Sequence, residues 1–256
     1  MRNIKLLIEY DGSGYCGWQV QKKKKSIQEV IESALRKITG EKTRLIASGR
    51  TDAGAHAIAQ AANFRTSKGI SAQKLQKALN GLLPEDISIT DATDVPPGFH
   101  SRFDAASKVY RYFVLNRKFP SAITAGRMLY YPYPLNVALM QKEARILLGR
   151  HDFSAFCAAN GNKKCAVRMI KNIDVRAEAY LPLAGSKKSD RSVIAITVEA
   201  DGFLYNMVRN IAGTLVEIGR GRFPAGSMKR ILHSKDRGKA GPTLPAHGLY
   251  LIKVKY

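Results

Sequence analysis

The fold class this sequence predicts is α+β, arranged as two similar halves, and three observations carry that expectation. Strand-like and helix-like runs are interleaved from one end of the 256-residue chain to the other. Ile8-Glu9-Tyr10-Asp11-Gly12 is echoed by Val198-Glu199-Ala200-Asp201-Gly202, each closing an apolar strand with Asp-Gly shortly before a helix. Between the two, Arg117 to Pro134 is rich in Pro, Tyr and small residues, so a boundary there divides 1–116 from 117–256. Duplication accounts for the echo; so does chance, because Asp-Gly is a common strand stop.

In chain order, Asn3 to Tyr10 reads as a strand with Ile4, Leu6, Ile8 and Tyr10 on one face. Ser26 and Glu29 form a capping box for a helix whose Ile27, Val30, Ile31, Ala34, Leu35 and Ile38 fall at helical spacing before Gly40. Arg44 to Ala47 and Ala59 to Phe64 are strands flanking a short loop. Ser71 to Leu82 is a helix stopped before Pro84, and Ile87 to Thr90 a short strand. Lys108 to Asn116 puts Tyr110, Tyr112 and Val114 on one face and Val109, Arg111, Phe113 and Leu115 on the other. Asn136 caps a helix expected to run to Leu148, with Gly149 just beyond it. Val167 to Ala179 and Ser192 to Glu199 read as paired strands joined by the polar turn at 185–190. A helix from about Tyr205 to Ile218 and a strand from Leu249 to Val254 complete the chain.

Composition narrows the partner. With 45% apolar and 24% charged residues the chain can bury a core, which argues against disorder. Lys and Arg outnumber Asp and Glu by 42 to 20, a formal charge of +22. Such an excess favours a phosphate-rich partner, since cations placed at phosphates release condensed counterions. A basic membrane-surface protein is the competing class. However, no apolar run reaches the ~18 residues of a spanning helix, and no signal-peptide core is visible, so RNA or DNA is the better reading. Cys16, Cys157 and Cys165 form no CxxC pair and are odd in number, so neither a disulfide framework nor a zinc site is expected.

The loop Gly49-Arg50-Thr51-Asp52-Ala53-Gly54-Ala55-His56 holds a lone carboxylate between a cation and a glycine, on a connection two strands can hold rigid. Thr-Asp-Ala-Gly is also good turn chemistry, with Asp bonding the backbone and Gly free to take positive φ. Lys22 to Lys25 is an uninterrupted lysine run placed against the dipole of the following helix, which mildly favours a phosphate contact over a solvated run. Tyr110 and Tyr112 beside Lys108 and Arg111 suit stacking on bases, or a strand tyrosine in the core with its hydroxyl at the rim. In Met207-Val208-Arg209-Asn210, an arginine near a packed helix start calls for a partner, and Asp52 is the candidate. Pairing would keep that carboxylate ionised and able to act as a nucleophile. No second acid accompanies Asp52, and neither a GxSxG elbow nor a GxxxxGK[ST] loop is present. From the residues alone, this is a basic, cofactor-free α+β RNA-binding chain with one reactive-looking aspartate.

Gly-Arg-Thr-Asp-Ala-Gly-x-His-Ala at 49–57 resembles the signature of the tRNA pseudouridine synthase A family. The resemblance extends through Glu9-Tyr10-Asp11-Gly12 to Trp18, Leu79 to Pro84, Phe99 to Ala105, Tyr110-Arg111-Tyr112 and His151 to Phe156. It continues in Met207 to Ile211 and Pro245 to Leu251. It implies two α+β halves with a mostly antiparallel mixed sheet, helices packed on it, and the active-site cleft between the halves. It further implies a cytoplasmic homodimer acting on tRNA, converting uridine to pseudouridine at positions conventionally numbered 38 to 40 in the anticodon stem-loop. By the same likeness Asp52 is the nucleophile, Tyr110 contacts the substrate, Arg50 helps extrude the target base and Arg209 pairs with the aspartate. No cofactor or metal is implied. The sequence departs from the family where Ala55 replaces a frequent Val, where Ala59-Gln60-Ala61-Ala62 replaces Gly-Gln-Val-Ala, and where Leu244 replaces a small residue. These changes touch packing near the loop, not its acid. The competing class is a non-catalytic RNA-binding protein, for which Asp52 would matter only as a charge.

Overall fold

The computed structural model describes residues 1–22, 24–158, 166–179 and 192–256, so Lys23, Cys165 and the turn expected at 185–190 lie outside the described residues. The chain forms two compact units, one of Met1–Lys108 with Tyr250–Tyr256 and one of Val109–Leu249. The first begins with β1 (Arg2–Tyr10), α1 (Ile27–Thr39), β2 (Ile46–Ala47), β3 (His56–Thr66), α2 (Ala72–Asn80) and β4 (Ile87–Val95). There follow β5 (Ser107–Asn116), β6 (Leu129–Tyr131), α3 (Val137–Ala144), β7 (Gly149–Asp152), β8 (Val167–Glu178), β9 (Val193–Ala200), α4 (Met207–Gly219) and α5 (Ser227–Ser234). The terminal β10 (Leu249–Lys255) supplies the last strand of the first unit.

In the first unit the strands lie in the order β4-β1-β3-β10, with β2 on β3. The β1–β3, β1–β4 and β2–β3 pairs are antiparallel, and β10 joins β3 in parallel through Tyr250↔His56 and Leu251↔Ala57. The order in the second unit is β5-β9-β8-β7, with β6 parallel to β5 and the β7–β8 and β8–β9 pairs antiparallel. Helices and a mostly antiparallel mixed sheet make the protein α+β, as the patterning indicates.

The local signals work as written. Ile4, Leu6, Ile8 and Tyr10 are all buried on one face of β1. The Ser26 hydroxyl accepts from the Glu29 N–H at 3.3 Å, and Gly40, at φ 71°, donates to the Arg36 carbonyl at 2.8 Å. Ser71 caps α2 in the same way. Asn80 then binds both backbone groups of Ile89 (2.8 and 3.0 Å), docking the helix on β4.

Other elements depart from expectation. β4 runs on to Val95 because Asn3 of β1 offers it a partner there. The helix after Asn136 stops at Ala144 and tightens into a 3₁₀ turn at Arg145–Leu147. No helix is expected at 227–234, yet α5 forms. Its first N–H groups are satisfied from α3, where the buried Glu143 carboxylate accepts from Gly226 N at 2.7 Å and Met228 N at 3.0 Å. Among the described residues, no helix is long and apolar enough to cross a membrane.

Candidate active site

Asp52 lies between β2 and β3, half-buried, with Arg50 exposed and Thr51 buried beside it. The turn reading is borne out: the Ala55 N–H donates to the Asp52 carbonyl at 3.1 Å, and Gly54 takes φ 79°. What sequence did not reveal is how firmly this loop is framed. Thr51 Oγ1 and the Tyr10 hydroxyl meet at 2.7 Å in the interior. Burial pushes the Tyr10 phenol well up from its usual range, so it stays a neutral partner. The Thr51 carbonyl accepts from the Trp18 N–H at 3.2 Å. On the other side of the loop, buried Gln60 accepts from the Ser48 hydroxyl at 2.7 Å and donates to the Gly49 carbonyl at 2.9 Å.

Gly17 closes the frame from below. It sits at φ 97°, and a Cβ there would lie 2.6 Å from the Thr51 carbonyl oxygen and 3.1 Å from the Asp52 carbonyl carbon. Only glycine combines that backbone conformation with that approach. His56, at the start of β3, stacks on Tyr250 with ring centroids 4.6 Å apart. Its Nδ1 accepts from the Gly12 N–H at 3.1 Å and lies 3.1 Å from Asp11 Oδ1. Both contacts cannot be satisfied by one proton. An unprotonated Nδ1 accepts from Gly12, and a protonated one donates to Asp11. The loop is thus held from β1, β3 and the 12–18 segment, while the Asp52 side chain stays part-exposed.

The other predicted residues, Tyr110 and Arg209, lie in the second unit. Tyr110 is 7% exposed, its ring edge-on to Phe203 at 5.0 Å. Tyr112, two residues along the same face, is fully buried and donates its hydroxyl proton to the Pro245 carbonyl at 2.8 Å. Of the two readings for this tyrosine pair, Tyr112 therefore follows the core one. Arg111, on the opposite face, is tied to Thr197 Oγ1 at 3.0 Å and to Glu178 at 3.6 Å. Arg209, in the first turn of α4, donates from Nε to the Leu244 carbonyl (2.7 Å) and from an Nη to Asn206 Oδ1 (2.8 Å). Two bonds on a planar guanidinium fix its orientation. Its neighbour Asn210 is fully buried: its amide donates to Phe156 O, and its Oδ1 accepts from Arg237 and Thr243.

Sequence reasoning singled out Asp52, Arg50, Tyr110 and Arg209, but not the framing set of Tyr10, Gly17, Thr51 and Gln60. Tyr10 was read as a strand-face position and as part of the Glu9-Tyr10-Asp11-Gly12 motif, with no role of its own. Its role depends on a loop 41 residues away.

A family model described as tRNA pseudouridine synthase matches residues 6–104 and 144–256. Among curated relatives, a protein of Caldicellulosiruptor bescii named tRNA pseudouridine synthase A is 47% identical over the full length of both chains. Proteins of the same name from Thermoanaerobacter sp. and Acetivibrio thermocellus are 44% and 43% identical, again over the whole of both chains.

Proposed function

The chain belongs to the tRNA pseudouridine synthase family, and from that premise we propose that it isomerises uridine to pseudouridine at positions 38 to 40 of the tRNA anticodon stem-loop, with Asp52 as nucleophile. The observation that carries this reading is the Asp52 loop itself, a part-exposed carboxylate on a backbone framed by Tyr10, Gly17, Trp18 and Gln60. Enzymes hold reactive groups on rigid supports of this kind, because misplacement is expensive in rate.

The N1–C1′ bond breaks with help from the Asp52 carboxylate, the base turns, and C1′ rejoins through C5. The C5 proton leaves to solvent and N1 ends protonated, so the isomerisation is redox-neutral and proton-balanced. A base within a stem must first leave its stack, at a cost of a few kcal/mol. Exposed Arg50 is the proposed group that fills the vacated space. Tyr110 is the proposed contact for the flipped ring, and Arg209 the proposed partner of the Asp52 carboxylate. Homodimerisation and a cytoplasmic setting belong to the same proposal and rest on the family likeness.

The deciding experiment is Asp52→Asn assayed by tritium release from tRNA labelled at uridine C5. We expect turnover to vanish while tRNA binding persists. A mutant with normal turnover would refute the nucleophile assignment. Unchanged pseudouridine in the anticodon arm of tRNA from cells lacking the protein would refute the target.

A further inference from the structure

The lysine run ahead of α1 is not used by the chemistry above, and the structure gives it a setting. A groove of about 510 Å³ in the first unit is lined by Lys24, Lys25, Glu29, Val30, Lys37 and Leu82, among others. Glu29 and Lys37 are eight residues apart on α1, which places them about 12 Å apart along the axis. A duplex strand presents a phosphate about every 3.4 Å of its axis, so the groove is long enough for several. Three ammonium groups face one carboxylate there. Among the described residues, none of the three lysines takes part in an ion pair.

Lys25 is positioned rather than loosely solvated. Lys25 lies with Nζ 4.6 Å from the centroid of the Tyr15 ring, and the Tyr15 hydroxyl is anchored to Asp86 at 2.6 Å. The Lys25 carbonyl accepts from Cys16 N at 3.0 Å, and Ile27 and Gln28 donate to the carbonyls of Gly17 and Trp18. Gly17 and Trp18 are the residues that support Thr51, so the lysine segment and the Asp52 loop rest on one hydrogen-bonded backbone piece. Cations immediately before a helix work against its dipole. A bound polyanion offsets that opposition. A second copy of this chain is a poor occupant, since each copy carries a formal +22.

We infer that this groove binds the phosphate backbone of the substrate RNA outside the target nucleotide, contributing affinity through Lys24, Lys25 and Lys37 without reading sequence. The inference rests on the tRNA reading above. Its test is the salt dependence of tRNA binding by the full chain, comparing wild type with K24Q/K25Q/K37Q and with K24R/K25R/K37R. Each lost phosphate contact lowers the slope of log K against log salt by ~0.7–0.9, so the glutamine variant, which removes three, should lose about 2.1–2.7 in slope and the arginine variant keep it.

A glutamine variant with wild-type slope and affinity overturns the assignment. So does an arginine variant that loses as much as the glutamine one, since charge would then not be the cause. Loss of binding to polyglutamate but not to tRNA would assign the groove to an acidic protein instead. Failure of the wild type to bind tRNA at all would instead bring down the proposed function, and the groove assignment with it.

Discussion

Replacing Gly17 by alanine tests whether the frame beneath Asp52 is what makes the carboxylate effective. The residue sits at φ 97°, where a side chain costs about 1–2 kcal/mol of stability. The new Cβ would stand 2.6 Å from the Thr51 carbonyl oxygen, and relief to an ordinary 3.4 Å contact moves that peptide by about 0.8 Å. Asp52 is the next residue, and its carbonyl carbon is itself only 3.1 Å from the added atom. Since a 1 Å misplacement of a reacting group costs about 10²-fold, the expected fall in the chemical rate is roughly 30- to 100-fold. On this reasoning tRNA affinity changes little, because the perturbation moves a reacting group and not a phosphate contact. The assay is single-turnover tritium release from C5-labelled tRNA, with thermal melting and binding measured on the same preparation. A folded Gly17→Ala protein that turns over within about threefold of wild type would refute the idea that the 17–18 segment sets the position of Asp52.

Thr51→Val keeps the shape but leaves the buried Tyr10 hydroxyl without its Thr51 bond, so a stability loss of about 1–3 kcal/mol is expected in denaturant titration, accompanied by a lower kcat. Glu143→Ala strips α5 of two buried charge-assisted hydrogen bonds, and a loss of about 3 kcal/mol should appear in the same measurement. Unchanged stability would mean the helix is held by its apolar face alone. His247 has its pKa held below the usual histidine value, chiefly by burial and further by the Arg209 charge, against a raising hydrogen bond with the Met128 backbone. Because the folded pKa is depressed, its contribution to stability is complete above about pH 6.5 and lost as the pH falls through the lower folded value. Denaturation at pH 5 and 7.5 should therefore show less difference for His247→Gln than for wild type, and an unaltered difference would place the titration elsewhere.

How far the sequence could be read follows from the range of the forces involved. Helix α1 was legible in full, because its cap, apolar spacing and closing glycine all act within a few residues of one another. The same holds for β1 and for the alternation along β5, where a period of two assigns faces directly. Helix α5 was not legible, because its start is capped by a glutamate 83 residues earlier in the chain. The length of β4 was misjudged for a related reason: a strand ends where its partner ends, and Asn3 carries the pairing to Val95.

The candidate site divides along the same line. Residue types alone marked Asp52 as an acid on a glycine-bearing loop in a strongly basic chain, and composition, turn chemistry and local capping needed nothing beyond neighbouring residues. Tertiary structure decided that Tyr112 is sealed by the Pro245 carbonyl, that Glu143 caps α5, and that Tyr10, Gly17 and Gln60 grip the backbone on either side of Asp52. Each of those is a contact between residues remote in sequence. Its existence depends on how sheet and helices pack, and a one-dimensional pattern carries no record of which distant atoms will meet.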